Sequence, residues 1–217
     1  MRLPEGEARH VLKVLRGRDG DTLEVVDADG RLFRAELGAG DEAKVLELLD
    51  GNEEVGLYLY QAVPKGGRMD LVVEKATEVG ATRIVPLLTG RTLVRPGDAK
   101  VGRWQRVAEA AARQSLRMVV PEVTQPMSFP EAVREAGGEG VLLHNEPGLA
   151  PLEAVVSAPA SLFVGPEGGW SEEELQTAEE AGLVLAQLGP YRLRSETAGV
   201  VAAARARAAL EISLRQS

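Results

Sequence analysis

The stretch Leu162–Leu175, LFVGPEGGWSEEEL, and its echo Leu188–Ala198, LGPYRLRSETA, constrain the fold more than any other part of the chain. In each, an apolar strand runs into a Gly/Pro loop and then a helix start, the arrangement that puts ligand sites at strand C-terminal ends. Ser161–Val164 is short, apolar and β-branched at its end, so it reads as a buried strand that Gly165 terminates. Gly168 and Gly169 lack side chains where the backbone must turn tightly or let a ligand come close. Ser171 with Glu174 three residues on makes a capping box and predicts a helix start. At the second corner, Gly189 and Pro190 break the apolar run Leu183–Leu188, and Arg192, Arg194 and Glu196 precede an Ala-rich helix expected over Val200–Leu214. Two such corners in one half of the chain predict one pocket.

The loop chemistry narrows the ligand. A dinucleotide loop needs G-x-G-x-x-G, and a P-loop needs Lys after its last Gly; here Glu167 sits in the loop and Trp170 and Ser171 follow. A carboxylate repels phosphate, so a neutral or cationic ligand suits the loop better. The glycines also satisfy a plain strand-to-helix turn, and Arg194 with Glu196 also satisfies an ion pair that closes its corner. Charged side chains between a buried strand and a buried helix are otherwise paired or functional.

With 217 residues and 44% hydrophobic content the chain can bury a substantial core. No run reaches membrane-spanning length, and early charges replace a signal-peptide core. The sequence has no cysteine, which excludes disulfides and thiolate metal sites, and only two histidines, His10 and His144. A cytoplasmic protein without a metal is expected. The net charge of −8 argues against nucleic acid as a partner. By segment, residues 1–60 carry 8 Lys+Arg against 14 Asp+Glu, residues 61–117 carry 11 against 5, and residues 118–217 carry 6 against 14. A basic block therefore sits inside an acidic chain.

That block contains a helix expected over Gly102–Met118. At about 100° per residue, Arg103, Arg106, Arg113 and Arg117 share one arc, while Trp104, Ala108, Ala111, Ala112 and Leu116 cover another. The arginine arc is either a solvated face or a phosphate-contacting ridge, which Arg91 and Arg95 would extend. Upstream, a short helix is expected over His10–Leu15, and strands over Thr22–Val26, Arg31–Glu36, Ala43–Leu49 and Val55–Ala62, with hairpin spacing that suggests a small barrel or sheet. From Val55 onward, strands alternate with helices: a helix over Arg68–Val79 stopped by Gly80, a strand Arg83–Leu88, a capped helix from Ser128 to Ala136, and a strand Gly140–His144. This alternation predicts a parallel α/β sheet. The domain boundary is placed near residue 64, giving domains 1–64 and 65–217.

GPEGGWSEEEL followed by LGPYRLRSETA resembles the paired signature of the RsmE-type ribosomal RNA methyltransferases, the small-subunit uracil N-3 methyltransferases of the SPOUT superfamily. Lys65–Gly80, KGGRMDLVVEKATEVG, with Arg83–Leu87 and Arg103–Arg117, resembles that family's middle motifs, so the likeness spans nearly the whole chain. Two departures stand out: Ser195 where threonine is expected in LRTETA, and ARQSLR where the family more often shows EQSGR.

The resemblance implies a C-terminal trefoil-knotted parallel sheet of the SPOUT type and an N-terminal PUA-like RNA-binding β-barrel. The barrel's opening strand is expected to be shortened or missing at Met1-Arg2-Leu3-Pro4. It implies S-adenosylmethionine as the methyl donor, bound at three strand ends. Those ends contribute Leu143 and His144, then Val164, Gly165, Pro166, Glu167, Gly168 and Gly169, then Leu188, Gly189, Pro190 and Leu193, with Thr197. It implies a homodimer, and 16S ribosomal RNA or the assembled small subunit as partner. Arg9, His10, Arg16, Arg91, Arg103, Arg106, Arg113 and Arg117 are the expected RNA contacts. Uracil N-3 becomes nucleophilic only when its imide proton leaves and the ring charge is stabilised. Arg194 is the expected stabiliser, because a guanidinium stays charged and can bridge carbonyl oxygens. Glu196 and Glu167 are the candidate bases, and either could instead hold Arg194. Two other readings stay open: methylation of another RNA position, and a non-catalytic RNA-binding assembly factor.

Overall fold

A computed structural model describes residues 2–3, 12, 16–26, 31–49, 54–92 and 95–216. The chain divides into two compact units, Met1–Glu53 with Arg113–Val119, and Glu54–Ala112 with Val120–Ser217.

In the first unit, three antiparallel strands pair in the order β1 (Thr22–Val26), β2 (Leu32–Leu37), β3 (Ala43–Leu48). Alternation along β2 turns Ala35 and Leu37 inward, where they pack with Leu3 and Ala43. Arg2 pairs with Glu42 in an isolated bridge, and the Leu3 N–H donates to the Asp41 carbonyl at 2.8 Å. The helix expected over His10–Leu15, apart from Leu12, lies outside the described residues.

The second unit is built on one fully parallel sheet. Its strands are β4 (Leu57–Ala62), β5 (Arg83–Leu88), β6 (Glu122–Val123), β7 (Met127–Ser128), β8 (Gly140–Leu143), β9 (Ala150–Pro151), β10 (Ala160–Val164) and β11 (Val184–Gln187). They order as β6-β5-β4-β10-β8-β11-β9, with β7 also on β5. The strands are short apolar runs because both faces are covered. On one face Leu57 and Leu59 pack with α1 (Met69–Glu78), α2 (Asp98–Gln114) and α5 (Ser195–Gln216) through Val72, Trp104 and Ala203. On the other, Tyr60, Val85 and Phe163 meet α3 (Phe129–Ala136) and α4 (Glu172–Glu180) through Phe129 and Ala178. The Tyr60 and Phe163 rings stack with centroids 4.4 Å apart. Among the described residues no helix is long and apolar enough to cross a membrane.

Three boundaries differ from expectation. The units divide between Glu53 and Glu54 instead of near residue 64, because β4 pairs with β5 and β10 on its two edges. The arginine helix runs Asp98–Gln114 and not Gly102–Met118. Leu116 adopts φ 55, which an α-helix cannot hold, so Arg117 leaves the helical arc. The C-terminal helix begins at Ser195, five residues before Val200, so Ser195 and Glu196 are buried in its first turn. The segment after Pro147 carries β9 and a 3₁₀ turn, Leu152–Ala154.

Candidate active site

Three strand ends meet because the register aligns them. Val164 of β10 faces Leu143 of β8, and Ala186 of β11 faces Leu143 from the other side. The loops that follow therefore leave the sheet side by side, at its carboxyl edge, and enclose a cleft of about 360 Å³.

Side chains lock these loops to one another. The Trp170 indole N–H, 6% exposed, donates to the Leu143 carbonyl at 2.9 Å, tying the second loop to the first. The Ser195 hydroxyl donates to the Gly165 carbonyl at 2.6 Å, tying α5 to the second loop. Arg205 donates to the Leu188 carbonyl at 2.5 Å, and Glu153 pairs with its guanidinium. The hydrogen bond from Arg205 holds the Glu153 carboxyl below the usual carboxylate range. Gly169, at φ 71, closes a turn by donating to the Pro166 carbonyl at 2.9 Å, and Gly189 sits at φ 119. A side chain at either would be strained. The capping box forms as expected: Ser171 accepts from the Glu174 N–H at 3.2 Å, and Glu174 accepts from the Ser171 N–H at 2.8 Å. The same Glu174 carboxylate accepts from the Gly90 N–H at 2.8 Å, so it also anchors the loop after β5.

Charge gathers around the second loop. Glu167 accepts from the Lys65 N–H at 3.0 Å, and Arg91 donates to the Gly168 carbonyl. Arg68 lies 3.1 Å from Oε1 of Glu196. Glu196 is 5% exposed, and its Oε2 is buried without a hydrogen-bond partner among the described residues.

Most of the expected cofactor residues line the cleft. Leu143 and His144 do, as do Val164 through Gly169 and Leu188, Gly189 and Leu193. Pro190, Arg194, Glu196 and Thr197 are not among its lining residues. Arg194 and Thr197 are exposed at the start of α5. Sequence reasoning missed Trp170, Tyr191, Arg192, Ser195 and Ala198 as lining residues. All five lie inside the two signature stretches, so their position was the available signal.

Of the arginines, Arg103 pairs with Asp70 on α1, while Arg91, Arg106 and Arg113 are exposed. Arg117 follows the helix, Arg16 is exposed in the first unit at φ 56, and Arg9 and His10 lie outside the described residues.

The parallel sheet with its cleft of three tied loops is the architecture of an RNA methyltransferase domain, and the model of that domain matches residues 52–207. The model of the RNA methyltransferase PUA domain matches residues 3–49. The chain is 36% identical over 221 residues to the ribosomal RNA small subunit methyltransferase E of Synechocystis sp., covering 96% of this chain and 73% of that protein. To the Bacillus subtilis protein of the same name it is 31% identical over 217 residues, covering 90% and 85%. The chain belongs to the ribosomal RNA small subunit methyltransferase E family. The Neisseria gonorrhoeae member, solved bound to S-adenosyl methionine, superposes with a TM-score of 0.79 at 31% identity, covering 97% of this chain and 92% of that one. A Legionella pneumophila methyltransferase solved with bound cofactor SAM gives 0.74 at 30% identity, covering 96% and 91%.

Proposed function

We propose that this chain methylates N-3 of a uridine in small-subunit (16S) ribosomal RNA, using S-adenosylmethionine. The observation that carries this reading is the cleft at three aligned strand ends, whose walls suit such a donor. Leu143, Val164 and Leu188 offer apolar surface for a heterocycle. Glu167 offers the carboxylate that favours a cation, and Arg192 a guanidinium for a carboxylate. A Cβ built on Gly165 would stand 3.0 Å from the Trp170 ring, so the backbone there approaches the cleft wall more closely than any other residue could. When bound, S-adenosylmethionine supplies an electrophilic methyl group on a positively charged sulfur.

The residues divide the remaining work. Arg194, exposed beside the cleft at the start of α5, stabilises the negative charge on the deprotonated ring. Glu167 lines the cleft and takes the imide proton. Glu196 is buried and paired with Arg68, which supports an anchoring role for this carboxylate. Arg91, Arg106 and Arg113 contact RNA phosphates. The enzyme acts in the cytoplasm, as a homodimer, with its C-terminal segment threaded in the knot of the SPOUT fold.

The test is transfer of radiolabelled methyl from S-adenosylmethionine to small ribosomal subunits lacking the modification, followed by nucleoside analysis. Labelled 3-methyluridine is expected, and Arg194→Ala should abolish it while leaving donor binding intact. Donor binding with no labelled nucleoside would overturn the substrate. Full activity in Arg194→Ala would overturn that residue's role.

A further inference from the structure

Gln61 lies on β4 and is fully buried, at 0% exposure. Its register partner on β10 is Val164, the last residue before the Gly165 loop, so its side chain starts one strand away from the cleft. Both hydrogens of its amide are used. Nε2 donates to the Ala62 carbonyl at 3.0 Å and to Ser195 Oγ at 3.0 Å. Rotating the amide by 180° would set its oxygen against the Ala62 carbonyl oxygen, so the orientation is fixed by chemistry. The outcome for the other end is costly. Oε1 is buried with no hydrogen-bond partner among the described residues, and a Cβ built on Gly199 would lie 2.1 Å from it. Buried amides normally satisfy both ends, and an orphaned oxygen calls for a reason. Leucine would fill a similar volume without that cost, so packing does not explain glutamine here.

The reason lies one bond further on. A serine hydroxyl has a single hydrogen. Because Gln61 occupies a lone pair of Ser195 Oγ, that hydrogen is directed at the Gly165 carbonyl, 2.6 Å away. The chain Gln61 to Ser195 to Gly165 thereby sets the peptide plane at the entry of the second loop and fastens it to the first turn of α5. Gly199 completes the arrangement, since only a residue without a side chain lets α5 pass the amide oxygen.

We propose that Gln61 is a positioning residue of the cofactor cleft. It acts through Ser195 to hold the Gly165 loop in its binding conformation before the donor arrives. This inference rests on the assignment of the cleft to S-adenosylmethionine. Preorganisation of this kind is read in affinity and not in folding.

The experiment is calorimetric titration of S-adenosylmethionine into the full chain, with thermal unfolding run alongside, for wild type, Gln61→Leu, Ser195→Ala and the double variant. Each single change should weaken donor binding by about 10-fold, the order expected for one lost buried hydrogen bond. The double variant should be no weaker than the worse single one, because both break one chain of bonds. Ser195→Thr, which keeps a hydroxyl, should recover most of the affinity lost in Ser195→Ala. Gln61→Leu should unfold close to wild type, since removing the orphaned oxygen offsets the bonds lost at the Ala62 carbonyl and Ser195. Unchanged affinity in Ser195→Ala would overturn the inference, as would a lowered unfolding temperature with unchanged affinity in Gln61→Leu. Wild-type protein that binds no donor would overturn the cofactor assignment, and with it this inference.

Discussion

Replacing Trp170 by phenylalanine isolates one bond that holds the cleft together. The indole N–H is buried and donates to the Leu143 carbonyl at 2.9 Å, while the ring leans on Phe129 with centroids 5.0 Å apart and a 45° tilt. Phenylalanine keeps an aromatic ring against Phe129 and removes the donor, leaving the Leu143 carbonyl unpaired at a strand end. An orphaned buried acceptor costs roughly 1–3 kcal/mol. Taking about 2 kcal/mol and a response of roughly 2–4 °C per kcal/mol for a chain of this size, the unfolding midpoint should fall by about 4–8 °C. The loss concerns the contact between two cleft loops, so the midpoint rise produced by saturating S-adenosylmethionine should also shrink. Differential scanning calorimetry with and without the donor reads both quantities. A midpoint within about 1 °C of wild type would refute the reasoning, because it would mean that water or a shifted loop satisfies Leu143 at no cost.

A second test reads another bond on the same face of the sheet. Tyr60 donates to Glu135 at 3.0 Å, and Arg83 donates to the same oxygen at 2.5 Å. Burial, then the hydrogen bond to Glu135, pushes the Tyr60 phenol up to about 12 from 10.0. A raised folded value means that Tyr60 contributes stability in full below pH 10, and that this contribution disappears as the pH climbs to about 12. Ultraviolet titration should show a late phenolate step that Tyr60→Phe removes, and a Tyr60→Phe protein that keeps the late step would refute the assignment. For the proposed RNA surface, Arg106→Ala with Arg113→Ala should lower the slope of log affinity against log salt by about 2, one per lost phosphate contact. An unchanged slope would return this helix face to simple solvation. For the proposed homodimer, Ile212 and Leu214 are 58% and 53% exposed near the end of α5. Ile212→Glu with Leu214→Glu should convert a two-chain species to one chain in sedimentation equilibrium, and a wild-type protein that sediments as one chain would refute the pairing.

The elements were legible wherever periodicity and punctuation agreed. Thr22–Val26 and Arg83–Leu88 fall where alternation and apolar runs put them, and the capping boxes at Ser128 and Ser171 open helices as read. The glycine loops and the likeness they carry were equally visible, because turn chemistry is local. Boundaries failed where a distant contact decided them. No pattern within Ser195–Gly199 announces a helix, since this first turn is held by Gln61 and Arg68 from elsewhere in the chain.

The sequence by itself determined where the chain turns, which strands are buried on both faces, and that two Gly/Pro corners would lie at strand ends. It did so because backbone freedom at glycine, fixed φ at proline and hydrophobic periodicity act between near neighbours. Only the tertiary structure decided which side chains the corners share. Trp170 reaches Leu143 across 27 residues, Ser195 reaches Gly165 across 30, and Gln61 reaches Ser195 across 134. It also separated the two candidate carboxylates, leaving Glu167 on the cleft and burying Glu196 against Arg68. Such partnerships follow from sheet order and register, which are set by the packing of whole elements and leave no mark in any local stretch of sequence.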